Sequence, residues 1–302
     1  MSPNVRTNVG PSVALVVLWS SGFIGAELGT RQAPASTLLA WRYLVAAVIL
    51  MALCLWRHER IGRAGLGRQV VLGLLCQVAY LGLTVSGVGL GVPSGTTALI
   101  ASMQPLVVIV LAALVLSERA QVTQLLGLGL GLGGVLLVVS GDLGAGDAPW
   151  WAYVLPFVGM LSLASGTVLQ QRWRPQESVL TSLTVQTVTA AVAFWLLALI
   201  EGTAGEPTPP AFCVAVAWVV LLSSFGGYGS YLYVSRTQGA TKASTLLYLT
   251  PPTTMVWAAL MFGDRVPPAG LAGMGLAAVG VVVAVRAASR PRRVAALATS
   301  AR

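Results

Sequence analysis

Residues 105–119 read PLVVIVLAALVLSER, and residues 251–265 read PPTTMVWAALMFGDR. A shift of 146 positions makes Pro105/Pro251, Val110/Val256, Ala112/Ala258, Ala113/Ala259, Leu114/Leu260 and Arg119/Arg265 identical, with Glu118/Asp264 a conservative further pair. Each copy is a proline, an apolar run and an acid beside an arginine, followed by a second apolar run. That is one half of a membrane helical hairpin, written twice.

Composition agrees. The chain of 302 residues is 56% hydrophobic and 9% charged, whereas a soluble domain carries about a quarter charged residues. The net charge of +9 does not point to nucleic acid: the basic residues are seventeen arginines and Lys242, placed almost entirely at span ends, loops and the tail, which is the signature of membrane topology. Cys54, Cys76 and Cys213 stand in apolar runs without CxxC spacing, and His58 is the lone histidine. That leaves no metal site, no disulfide framework and no cofactor to expect.

Charges cut the chain into windows of about 20 residues, each suited to roughly 30 Å of hydrocarbon. They predict ten helices, at 12–30, 36–56, 69–87, 93–117, 121–140, 150–171, 178–200, 211–235, 241–262 and 267–286. The N-terminal run is kept as the first helix and not as a cleaved signal, because no small-residue cleavage site follows promptly. The uncharged stretch 69–117 is divided at Gly87, Gly89, Gly91, Pro93 and Gly95. The connector GDLGAGDAPWW, 141–151, marks the midpoint and ends in the interfacial Trp150 and Trp151. The expected organisation is a first repeat at 12–140, a second at 150–287 and a basic tail at 288–302.

With the N-terminus inside, fifteen basic residues fall on the cytoplasmic side and two, Arg31 and Arg265, on the outer side, leaving Arg42 within a span. The loop after the second helix is rich in arginine, while its equivalent after the seventh carries Glu201 and Glu206. Five helices per half require this inversion, since an odd repeat emerges on the opposite side. The expectation is therefore an all-α polytopic membrane protein of two inverted five-helix repeats, with both termini in the cytoplasm.

Polar side chains inside the spans are the candidate substrate contacts. Gln77, Tyr80 and Thr84 share one face of the third helix, with Gln77 and Tyr80 about 12–16 Å along it from Gln69. Gln104 on the fourth helix, Gln186 on the seventh, Tyr228 on the eighth and Tyr248 on the ninth are further candidates, as are Trp19 and Phe23 on the first. Isolated serines and threonines at such positions mostly bond helix to helix; three glutamines near mid-depth are costlier unless they meet water or a ligand. Glu27 and Arg42 are the intramembrane charges, both toward the outer side. An ion pair between them would explain their presence and would suit an outer gate; Arg42 would equally suit a substrate carboxylate.

Gly127/Gly131 and Gly129/Gly133 on the fifth helix, and Gly273/Ala277 on the tenth, have the spacing of close-packed helix faces. We expect them to pack within the chain, giving a monomer, although such faces also serve dimers. Pro105 and Pro251, at repeat-related positions, are candidate hinges.

The paired Pro-(x)12-Glu/Asp-Arg segments, the two inverted five-helix halves and the ten-helix count resemble the EamA family of the drug/metabolite transporter superfamily. Essentially all of 12–287 is covered, and within the family the chain is similar to the YddG-type exporters of aromatic and neutral amino acids. The resemblance implies a central cavity between the halves, with the fifth and tenth helices peripheral. Asp264 in place of the usual glutamate, and the doubled Pro251/Pro252, depart from the pattern. The expected function is export of small neutral metabolites, amino acids above all, from the cytoplasm of a bacterium across its inner membrane by facilitated alternating access. A multidrug or cation exporter and an uptake carrier of the same fold are the rivals. A lipid-modifying enzyme would need interfacial acids or histidines in a cluster, which the sequence lacks.

Overall fold

The fold is described from a computed structural model over residues 9–59, 63–115, 122–143, 148–205, 209–238, 243, 246–264 and 268–288. Arg119, Lys242, Arg265 and residues 289–302, on which parts of the topology and the tail expectation rest, lie outside the described residues.

Helix occurs in each predicted window. The rods are α1 (Val9–Thr30), α2 (Ala35–Trp56), α3 (Arg63–Gly73, Leu74–Ala79 and Tyr80–Gly89), α4 (Ser94–Ser102 and Gln104–Val115) and α5 (Val122–Leu143). In the second half they are α6 (Trp150–Tyr153 and Val154–Trp173), α7 (Val179–Ile200), α8 (Pro210–Trp218, Val219–Gly227 and Tyr228–Gln238), α9 (Leu247–Leu249 and Thr250–Phe262) and α10 (Pro268–Ala288). The first eight are long and apolar enough to cross a membrane, and Gly270–Gly280 is a shorter apolar stretch in α10. A lipid environment leaves the backbone no partner but itself, so long apolar runs settle as helix. Large apolar side chains cover the outside, among them Leu55, Trp56, Leu114, Ile200 and Leu260, all at least 70% exposed.

Ends follow local chemistry. Ser178 caps α7 by accepting from the Thr181 amide at 3.1 Å, and Gly263 closes α9 in the left-handed region at φ 75°. Both candidate hinge prolines open a new helical segment instead of bending a continuous one. α4 breaks at Met103, ahead of Pro105, and α9 changes from 3-10 to α geometry at Leu249, ahead of Pro251. A proline in the first turn loses no intrahelical bond there, because that amide has no partner within the helix in any case.

The helix pairs obey an exchange rule. α5 packs most extensively on α10 and α2 on α7, and α4 meets α9, while α3 lies against α6 as α8 lies against α1. Exchanging the two halves maps each of the first three pairs onto itself and swaps the last two. The glycine face of α5 is used within the chain: a Cβ on Gly134 would strike the Gly273 carbonyl and Ala277, and one on Gly280 would strike the backbone of Gly127 and Gly131. Gly129 faces open space and a Cβ on Gly133 would make only ordinary contact with Leu276, so the close backbone approach belongs to the first of the two small-residue pairs.

Among the described residues two large apolar cores stand out beside two smaller ones. Leu38, Leu39, Tyr43, Val85, Phe194 and Phe212 form one around α2 and α7. Leu99, Ile100, Met103, Leu106, Val138, Met160 and Met255 form the other, among α4, α5, α6 and α9. Neither π segment was expected from the sequence. Leu74–Ala79 of α3 and Val219–Gly227 of α8 both have i→i+5 geometry, and the 146-residue shift carries the first inside the second.

Candidate functional site

The two π segments are bridged by adjacent residues of α2. The Tyr43 hydroxyl donates to Gln77 Oε1 at 2.6 Å, and Arg42 Nε donates to Ser224 Oγ at 3.3 Å. Ser224 is itself set by the wide turn, donating to the carbonyl of Val219, five residues back, at 3.1 Å. Tyr43 is locked by stacking on Phe194, with centroids 5.5 Å apart, and the Arg42 guanidinium lies 5.7 Å from its ring. Arg42, Gln77, Tyr80 and Ser224 are all half-buried. A charged residue inside a span costs roughly 2.5–3.5 kcal/mol on insertion scales, so this one requires an explanation.

An aromatic group adjoins it along α8. Tyr228 stands one turn from Ser224 and stacks on Tyr231 at 6.4 Å, and Tyr231 meets Trp19 of α1 at 5.7 Å. Gly22 comes so close to α8 that a Cβ there would press on Ser223. The structure therefore links Gln77 and Arg42 through neighbouring residues of α2, with Tyr80 one turn from Gln77, Tyr228 one turn from Ser224, and Trp19 joined to Tyr228 through Tyr231.

The remaining candidates lie elsewhere. Gln186 is buried and donates to Gln69 Oε1 at 2.8 Å, and Gln69 in turn reaches Glu177 at 3.4 Å, so its amide joins helix to helix. Gln104 donates to Thr167 at 3.2 Å. Tyr248 packs against the second core, and Phe23 is buried in α1. The three glutamines therefore do not converge. The expected ion pair between Glu27 and Arg42 does not form either. Glu27 binds Arg31, four residues on, at 2.7 Å, because that guanidinium is one helical turn away and Arg42 is held at Ser224.

Glu27 belongs to a second feature, a cavity of about 680 Å³ on the predicted outer side. Arg31, Asp142, Asp264, Thr96 and Met255 also line it. Helix α5 runs three residues beyond its expected end, which buries Asp142 against Thr96, whose hydroxyl donates to it at 2.5 Å. The Arg31 guanidinium lies 4.2 Å from the Phe262 ring and so ties α1 to α9. Burial raises Asp264 above the ordinary aspartate range, and Arg31 only partly offsets this. Glu27 Oε2 is buried and, among the described residues, unpartnered.

Polar contacts pin α2 to α7 at both ends. Ser36 donates to Glu201 at 2.5 Å and Thr37 to the Thr203 carbonyl at 2.7 Å. At the other end Ser178 and Thr181 donate to Glu59 at 2.8 and 2.9 Å, holding its carboxyl below the usual range. Sequence reasoning passed over Tyr43, Asp142 and Gln69. For Tyr43 a signal was available, since a tyrosine next to an intramembrane arginine needs a partner for its hydroxyl.

A model of the EamA-like transporter family matches residues 12–140 and again 150–286. The chain belongs to the EamA-like transporter family. It is thus a multi-pass membrane transporter built from two repeats. It is 24% identical over 277 residues to an uncharacterized inner membrane transporter, YedA, of Escherichia coli strain K12, covering 91% of this chain and 89% of that one. It is 28% identical over 288 residues to a probable terminal-alkyne amino-acid exporter of Streptantibioticus cattleyicolor, covering 93% and 94%. A probable amino-acid metabolite efflux pump of Salmonella typhimurium is 22% identical over 286 residues, covering 91% and 93%. A solved crystal structure superposes with a TM-score of 0.63 at 19% identity over 92% of this chain and 96% of the other, a likeness of fold.

Proposed function

We propose that this EamA transporter exports small neutral metabolites, amino acids including aromatic ones above all, across a bacterial inner membrane. The observation that carries the reading is the polar and aromatic group of Arg42, Gln77, Tyr80, Ser224, Tyr228 and Trp19, set between apolar cores and shared by both repeats. A zwitterion in a low-dielectric passage needs hydrogen bonds at both ends, and the aromatic rings offer a surface for an apolar side chain. The names of the Streptantibioticus and Salmonella relatives support the same substrate class. Ten crossings with both termini inside, one substrate pathway per chain and downhill transport by alternating access complete the reading, with Pro105 and Pro251 as hinges and Glu27 at the outer gate.

A second reading rests on the outer cavity. Glu27, Asp142 and Asp264 offer three carboxylates against Arg31 among the described lining residues, a setting that favours organic cations. Purified protein in liposomes, tested with labelled phenylalanine, leucine, a nucleoside and tetraphenylphosphonium, separates the two. Flux of the amino acids alone is the expected result. Flux of the phosphonium without amino acids would establish the cation exporter in its place.

A further inference from the structure

Arg42 carries a charge that the described residues do not neutralise. Among the described residues no carboxylate lies within 4.0 Å of it, and its protein hydrogen bond is the single one from Nε to Ser224. The two terminal guanidinium nitrogens, the pair that presents a fork to a carboxylate, take no partner from the described residues. The side chain does not snorkel. Snorkelling would carry the guanidinium toward Ala35 and the near surface. Instead Nε is held on the π segment of α8, next to Ser223, which meets Gly22 eight residues, or about 12 Å, below the end of α1.

The neighbours leave donors over as well. Gln77 uses Oε1 to accept from Tyr43, so its amide nitrogen points its two hydrogens elsewhere, and neither that nitrogen nor the Tyr80 hydroxyl has a protein partner among the described residues. Both residues are half-buried and stand three residues apart, on one face of α3. Three groups with donors to spare, one of them positively charged and with no carboxylate beside it among the described residues, describe a site for a carboxylate.

We propose that Arg42 receives the substrate's carboxylate, with the Gln77 amide and the Tyr80 hydroxyl as accompanying donors, so that the transported class is defined by a free carboxylate. The inference rests on the amino-acid reading and sharpens it, since amides, esters and simple amines of the same side chain become poor substrates. Ser224 is the positioning residue. Its π turn fixes the hydroxyl that orients Nε and turns the fork toward α3. The carboxylate is thus held by the first repeat, and the second repeat acts on it through Ser224 and Arg42.

The test compares phenylalanine with phenylalaninamide as competitors of labelled phenylalanine uptake into proteoliposomes. Wild-type protein is expected to prefer the acid at least tenfold. Arg42→Gln brings that ratio near one, Arg42→Lys retains part of it, and Ser224→Ala lowers it severalfold. An Arg42→Gln protein that elutes and melts like wild type yet keeps the wild-type ratio overturns the inference and leaves the amino-acid reading standing. Wild-type protein that moves neither compound nor any other amino acid overturns both. Should Arg42→Gln not fold, Arg42→Lys and Gln77→Leu serve, and an unchanged ratio in both has the same overturning force.

Discussion

Two glutamines of equal sequence rank differ in what their removal should do. Gln186 bonds to Gln69, which has no exposed surface, so Gln186→Ala leaves a buried amide short of a partner. We expect a stability loss of about 1 kcal/mol, as for intramembrane hydrogen bonds generally, with substrate affinity unchanged. Gln77→Ala also strands the buried Tyr43 hydroxyl and should cost a similar amount of stability, but unlike Gln186→Ala it should weaken competition by phenylalanine severalfold. Thermal melts in detergent alongside competition curves check the pair, and a shared pattern in both variants would remove the distinction. Spacing alone placed these residues on helix faces, but a face does not say which helix stands opposite. For the same reason Glu27 and Arg42 looked like partners in the sequence, although the guanidinium one turn away is Arg31.

Asp264 gives a pH prediction with a definite sign. Burial raises its folded pKa above the ordinary value of 3.8, so the folded protein holds this proton more tightly than the unfolded chain. The associated stability is fully present below the unfolded value and is lost as pH rises through the folded one. Asp264→Asn should therefore melt higher than wild type at pH 7, and the difference should vanish as pH falls toward 3.8 and below. Melting curves across that range check it; a variant that melts lower at pH 7 would mean that the Arg31 attraction outweighs burial.

At the scale of elements, the windows set by charge and hydropathy coincide with the helices to within a few residues, because length and apolarity are what a bilayer selects. Wide turns leave no such trace. The π segments of α3 and α8 change neither hydropathy nor charge, and their placement at related positions emerges only from the coordinates. The proline breaks were readable, though as kinks and not as fresh starts. In α4, Met103 separates two helical segments and Pro105 prevents their fusion. Pro105→Ala supplies an amide that lets the helix run on, so turnover should fall at least threefold with affinity little changed. Pro251→Ala should behave alike, and initial rates over a range of concentrations check both. Wild-type turnover in the two variants would leave the prolines as static shape.

For the molecule as a whole, the repeat was legible because six identities survive at a fixed shift in 105–119 and 251–265. The pairing of halves was not, since no short motif encodes that α2 meets α7 or that α5 meets α10. The arginine bias predicts the orientation. With Cys54, Cys76 and Cys213 replaced, a cysteine at Arg57 should react in intact cells only with permeant thiol reagents, and one at Gly205 with impermeant ones. The opposite labelling would invert the topology. The energy source is the most exposed part of the account. The sequence placed no aspartate in a span interior, yet α5 buries Asp142 beside Thr96, and Glu27 keeps one carboxylate oxygen unpartnered. Both face the outer cavity. Neither contacts the Arg42 group, and the account expects no proton to move through them in step with substrate.

Labelled phenylalanine flux through purified protein in liposomes, measured with and without an imposed pH gradient, tests this most directly. The account predicts rapid movement down the phenylalanine gradient, equal levels at the end point, and no change of that end point with the pH gradient, in wild type, Glu27→Gln and Asp142→Asn alike. Absence of phenylalanine flux, or accumulation that collapses with an uncoupler and is lost in either variant, would contradict it.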